Sequence, residues 1–132
     1  MIINVKKEKW IPITELRGEC SVSSIIFDPN NILTLELDSF LLDNEVKISF
    51  HDVFAYRVTM EHFRWRGVQP VDKTKQALYC VMNSSYKDWL IKEGFDQLYG
   101  KTIPIKHYVL YCTEHIIDVL VPEGITPVIL YK

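Results

Sequence analysis

The chain has 132 residues, the size of one domain, and dividing it would leave pieces too small to bury cores of their own. Hydrophobic residues make up 48% and charged residues 24%, a globular balance that excludes a disordered or fibrous chain. A net charge of -2 argues against a mainly electrostatic binder of nucleic acid or of an anionic membrane.

The first predicted element is a Ser-, Val- and Ile-rich strand from Glu19 to Phe27. Asp28-Pro29-Asn30-Asn31 supplies turn chemistry, and Ile32 to Leu37 returns with strict alternation. Leu33, Leu35 and Leu37 share one face and Thr34 and Glu36 the other, the pattern of a half-buried antiparallel strand with one wet face. After Asp43-Asn44 the alternation resumes in Val46 to Phe50, and His51-Asp52 then leads into Val53 to Met60. These two arms read as a second hairpin, with Phe54, Tyr56 and Val58 on one face of the last arm and Ala55, Arg57 and Thr59 on the other.

Gly67 to Lys75 is irregular and reads as a surface loop before a strand at Ala77 to Met82. Asn83 or Ser84 can cap a helix over Ser84 to Glu93, with Tyr86, Trp89 and Leu90 forming an apolar stripe and Gly94 a stop. Phe95 to Tyr99 adds a further helical turn. Ile105 to Cys112 is a strand rich in Tyr and β-branched residues, Thr113-Glu114-His115 turns, and Ile116 to Val121 returns. Pro127 to Tyr131 has the composition of an edge strand, because Pro can begin a strand but cannot sit within a central ladder.

The expected fold is therefore α+β and strand-dominated, an antiparallel sheet of consecutive hairpins with about seven or eight strands and one main helix near residues 84–93. All 132 residues belong to it as a single domain. Three widely spaced cysteines, Cys20, Cys80 and Cys112, match neither a closed disulfide framework nor a zinc-finger spacing. No stretch has the length of a membrane span and no signal peptide is evident. A cytoplasmic protein with reduced thiols fits these features, and no cofactor is implied.

The densest polar segment interleaves Arg57, Glu61, His62, Arg64 and Arg66 with Tyr56, Phe63 and Trp65. Guanidiniums and rings in that pattern suit an anion or a single-stranded nucleic-acid backbone, although a solvated strand face with internal ion pairs gives the same composition. Protein contacts are also anchored most often by Tyr, Trp and Arg, which makes Tyr56, Arg57, Glu61, His62, Arg64, Trp65 and Arg66 the candidate binding residues. Tyr99 and Tyr108 are further rings expected on that surface.

Catalytic and metal signals are sparse. Cys112-x-x-His115 with His107 falls short of the four ligands of a structural zinc site, and the odd separation of His107 and Cys112 puts them on opposite faces of a strand. The cysteines lack any local signature of a nucleophile, and two of them sit in apolar strands where a small buried thiol is ordinary. His51-Asp52 reads as a bend, and Asp118 with Glu114 has no fixed distance from which to build acid–base chemistry. Gly-rich phosphate loops and nucleophile elbows are absent.

Two stretches carry a resemblance: Val53-Phe54-Ala55-Tyr56-Arg57-Val58-Thr59-Met60-Glu61, and Lys106-His107-Tyr108-Val109-Leu110-Tyr111 leading into Ile116-Ile117-Asp118-Val119-Leu120. They resemble patterns in small uncharacterised bacterial proteins, some of which are similar to immunity proteins of polymorphic toxin systems. That resemblance implies a cytoplasmic binder that covers the active site of a cognate toxin and has no chemistry of its own. It carries over no functional residue. The expected function is a non-enzymatic protein-binding module, with a toxin as partner if the resemblance holds. The alternative is a small ligand-binding or catalytic domain with its pocket between the sheet and the helix Ser84 to Glu93.

Overall fold

The computed structural model describes residues 7–9, 20–39, 45–60, 78–95 and 104–131. Within them the chain forms two antiparallel sheets and one helix. The strands are β1 (Lys7–Lys9), β2 (Cys20–Phe27), β3 (Leu33–Ser39), β4 (Val46–Phe50), β5 (Ala55–Met60), β6 (Leu78–Val81), β7 (Ile105–Tyr111), β8 (His115–Pro122) and β9 (Val128–Tyr131). The helix α1 is Ser85–Leu90. One sheet has the order β1-β6-β7-β8-β5 and the other β2-β3-β4-β9. The strand-dominated α+β class is the expected one, and β1, three charged residues beside β6, is the one strand without a sequence signal.

Alternation decides which faces meet. Leu33, Leu35 and Leu37 of β3 and Val46, Ile48 and Phe50 of β4 are sealed against Leu78 and Cys80 of β6, Tyr108 and Leu110 of β7, and Ile117, Val119 and Val121 of β8. Two sheets with apolar inner faces bury both at once by stacking. The outer face of the four-stranded sheet is wet as expected, with a Thr34–Ser49 hydroxyl pair at 3.3 Å and a Lys47–Glu36 ion pair at 3.5 Å across the β3/β4 ladder. The outer face of the five-stranded sheet is covered in part by α1.

Turn chemistry sets the connections. Asp28 Oδ1 accepts the backbone N–H of Asn30 (2.8 Å) and of Ile32 (3.2 Å), and Asn31 takes the left-handed conformation (φ 63°) that closes the β2/β3 hairpin. Glu114 does the same (φ 68°) in the β7/β8 hairpin, where Cys112 N–H donates to His115 O at 2.8 Å. Gly94 stops the helix as anticipated. The chain leaves α1 through a wider turn, Ile91–Phe95, inside which Gly94 has φ 129°, a conformation that a side chain disfavours. Val128–Tyr131 is the edge strand expected of that segment.

The predicted second hairpin does not form. β4 pairs with β3 and β9, whereas β5 pairs with β8 in the other sheet. At the crossing Asp52 is left-handed (φ 54°), Val53 turns its side chain into the shared core and donates its N–H to Asn31 O, and Phe54 N–H reaches Leu120 O. An inward Val immediately after the bend carries the chain across the sandwich instead of back along β4. Among the described residues no helix is long and apolar enough to cross a membrane.

Candidate functional site

The outer face of the five-stranded sheet holds the polar chemistry. Along β7 the residues Ile105, His107, Val109 and Tyr111 point to this face, and along β8 Ile116, Asp118 and Leu120 do, opposite in parity to the inter-sheet core. Arg57 of β5 lies directly across from Asp118, and His107 lies diagonally from it, because His107 pairs with Leu120. Directly opposed and diagonal neighbours on one face are the pairs whose long side chains meet.

Meet they do. Asp118 Oδ2 accepts from Arg57 Nε at 2.9 Å, and Asp118 Oδ1 lies 2.6 Å from His107 Nε2. On its other side His107 Nδ1 is 2.6 Å from Ser84 Oγ, and that oxygen also accepts Lys87 N–H at 2.9 Å as the N-cap of α1. Every group is satisfied when Nε2–H donates to the carboxylate and the serine hydroxyl donates to Nδ1. Ser84, His107 and Asp118 are all buried, and among the described residues no buried side-chain nitrogen or oxygen lacks a partner.

An aromatic stack lies over this chain of bonds. Tyr86 of α1 presents its ring edge-on to His107 (5.7 Å between centroids), and the Arg57 guanidinium lies 4.2 Å above the same ring. Trp89, one helical turn on, is nearly parallel to Tyr86 (5.6 Å, 18°). Burial pushes the Tyr86 phenol above its ordinary 10.0, with Arg57 pulling it down and Asp118 pushing it up. The Arg57 side chain remains 39% exposed and Trp89 47% exposed. Nε is committed to Asp118, so the terminal nitrogens of Arg57 are the donors it can offer outward.

Of the candidate binding residues, Tyr56 and Arg57 are described, and they do not act together. Tyr56 is on the inner face of β5, its ring 5.0 Å from that of Phe27 on β2, where the edge strands of the two sheets meet. Arg57 is on the outer face with the stack. Glu61, His62, Arg64, Trp65 and Arg66 lie outside the described residues, as do Phe63 and Tyr99. Tyr108 is not a surface ring: it packs in the inter-sheet core against Phe50, 5.5 Å away. Trp89 corrects the reading of the helix in the opposite sense, since Tyr86 and Leu90 face the sheet while Trp89 stands largely in solvent.

Sequence reasoning missed Ser84, His107 and Asp118 as a unit. The available signal was an acid within the apolar run Ile116 to Val121, which needs a buried partner. His107 and Cys112 do face opposite sides, one toward α1 and the other into the inter-sheet core, as their odd separation requires. Among the described residues no group of three or more His, Cys, Asp or Glu could hold a metal ion. Comparison with known protein families, with curated proteins and with solved structures gave no match.

Proposed function

We propose that this chain is a non-enzymatic protein-binding module of the cytoplasm, an immunity-type inhibitor that neutralises a bacterial toxin, with Arg57, Tyr86 and Trp89 as the anchor of the contact. The observation that carries this reading is the pinned, exposed stack. Asp118 and the Tyr86 ring fix the guanidinium in place, and Trp89, stacked nearly parallel to Tyr86, carries the aromatic surface into solvent. Arg, Tyr and Trp are the side chains that contribute most to protein contacts, and a group already held in one conformation loses little entropy on binding. A partner carboxylate paired with the outward nitrogens of Arg57 while a flat apolar group covers Trp89 would use both features.

A photo-crosslinking amino acid at position 89, introduced in cells that express the protein natively, tests the assignment. One predominant cross-linked protein is expected, lost on Arg57→Ala and absent when the cross-linker stands at Leu130, which is exposed on the other sheet. No adduct at position 89, or the same adducts at both positions, overturns it.

The Ser84–His107–Asp118 order of bonds favours a second reading, a hydrolase with Ser84 as nucleophile. Two features weigh against it: Ser84 is only 5% exposed, and its oxygen is already engaged as the N-cap of α1, accepting the Lys87 N–H. A fluorophosphonate probe should leave Ser84 unlabelled, and labelling abolished by His107→Ala would establish the hydrolase instead.

A further inference from the structure

We propose that Cys20 and Cys112 form a redox-modification site, at which peroxide joins the two thiols in a disulfide that ties one sheet to the other. Cys20 opens β2 in the four-stranded sheet, and Cys112 follows β7 in the five-stranded one. Their sulfurs are 3.7 Å apart in the buried core, 92 positions apart in sequence. None of the three cysteines is in a disulfide. The surrounding backbone is fixed as well: Thr113 N–H donates to Cys20 O at 2.7 Å across the two sheets, and Cys112 is held in the tight turn that reaches His115. A disulfide needs the sulfurs at about 2.0 Å, an approach that small χ adjustments and a slight strand shift supply.

Cys80 is set apart by register. It lies opposite Tyr108, four residues along β7 from Cys112, which is about 13 Å at the rise of a strand. The site is thus a pair within a set of three. Access comes through β2, an edge strand with a ladder on one side only, whose first residue is Cys20. Opening that end breaks the first bonds of the β2/β3 ladder and the bond from Thr113, and hydrogen peroxide is small enough to enter.

The chemistry balances with peroxide as the oxidant. One thiolate attacks a peroxide oxygen, the O–O bond breaks, and the sulfur becomes a sulfenic acid as hydroxide leaves and takes a proton to form water. The second thiolate then attacks the sulfenic sulfur, forming the S–S bond and expelling hydroxide, which becomes the second water. Two thiols and one peroxide give one disulfide and two waters. Cross-links that close long loops restrict the unfolded chain most, so the oxidised protein is the more stable one, with β2 fastened to the opposite sheet.

Native, fully reduced protein treated with a small excess of hydrogen peroxide should lose two of its three thiols. Non-reducing peptide mapping should link Cys20 to Cys112 and leave Cys80 open to alkylation. The thermal midpoint should rise by several degrees and fall back when dithiothreitol is added. Cys80→Ser should behave like the parent chain, and Cys112→Ser should form no internal bridge. If Cys112→Ser does not fold, the mapping of Cys80→Ser decides alone. A bridge containing Cys80, sulfinic acid on Cys20 or Cys112 in place of a bridge, or three unchanged thiols at a peroxide dose that oxidises the unfolded chain overturns the proposal.

Discussion

Asp118 is fully buried in the middle of β8, and its carboxylate is stable there because both oxygens are occupied, one by His107 and one by Arg57. The two partners are unequal. His107 is as buried as the acid, while the Arg57 side chain is partly in water and can rehydrate. Asp118→Ala should therefore lower stability by about 3 kcal/mol, mainly by stranding His107, and Arg57→Ala by about 2 kcal/mol plus lost packing on Tyr86, because it takes the guanidinium from Oδ2 of a buried carboxylate. Urea unfolding of the two variants measures both losses, and an Arg57→Ala loss below about 0.5 kcal/mol would show that the carboxylate does not depend on its guanidinium. The sequence shows why this cluster was only half legible. Arg57 stands out among neighbouring charges, whereas Asp118 reads only as an acid with Glu114 nearby, and the meeting of Arg57 and Asp118 depends on β5 pairing with β8, a contact 61 positions apart. No local pattern encodes such a partner choice.

At the scale of elements, period-two alternation and turn residues carried most of the information. The strands from β2 to β9 fall within a residue or two of the segments marked by alternation or by β-branched and aromatic composition, and most of them are bounded by Asp, Asn, Pro or Gly. The failures have specific causes. β1 is three charged residues whose pairing with β6 satisfies backbone groups and leaves no hydrophobic trace. The false β4/β5 hairpin came from reading adjacency as pairing, when the inward Val53 sends the chain to the other sheet. In α1 the spacing of Tyr86, Trp89 and Leu90 looked like one stripe, yet a helix of six residues has only one sheet-facing ridge, which Tyr86 and Leu90 fill. So short a helix cannot persist by propensity. It is held by that ridge and by the bond from its cap, Ser84, to His107.

At the scale of the molecule, the described residues pack in two interfaces, sheet on sheet and helix on sheet, and each contains a phenol displaced in the same direction. Tyr108 lies between the sheets, raised by burial against the opposing pull of Lys106, with Cys80 adding to the rise. Tyr86 lies between α1 and the five-stranded sheet, raised by burial against the pull of Arg57. Both folded values stand above the 10.0 of an unperturbed phenol. Once the pH passes about 10 the unfolded chain releases these protons more readily than the folded one, so stability is whole below that pH and falls as pH rises toward the folded values. Tyr86→Phe keeps the ring under Arg57 and removes the ionisation, and Tyr108→Phe does the same between the sheets. Urea midpoints followed from about pH 8 to about pH 11 should fall steeply at the alkaline end for the parent chain. The fall should be shallower for each variant and shallowest for both together. A double variant that loses stability as steeply as the parent would show that neither interface is opened by its own phenol.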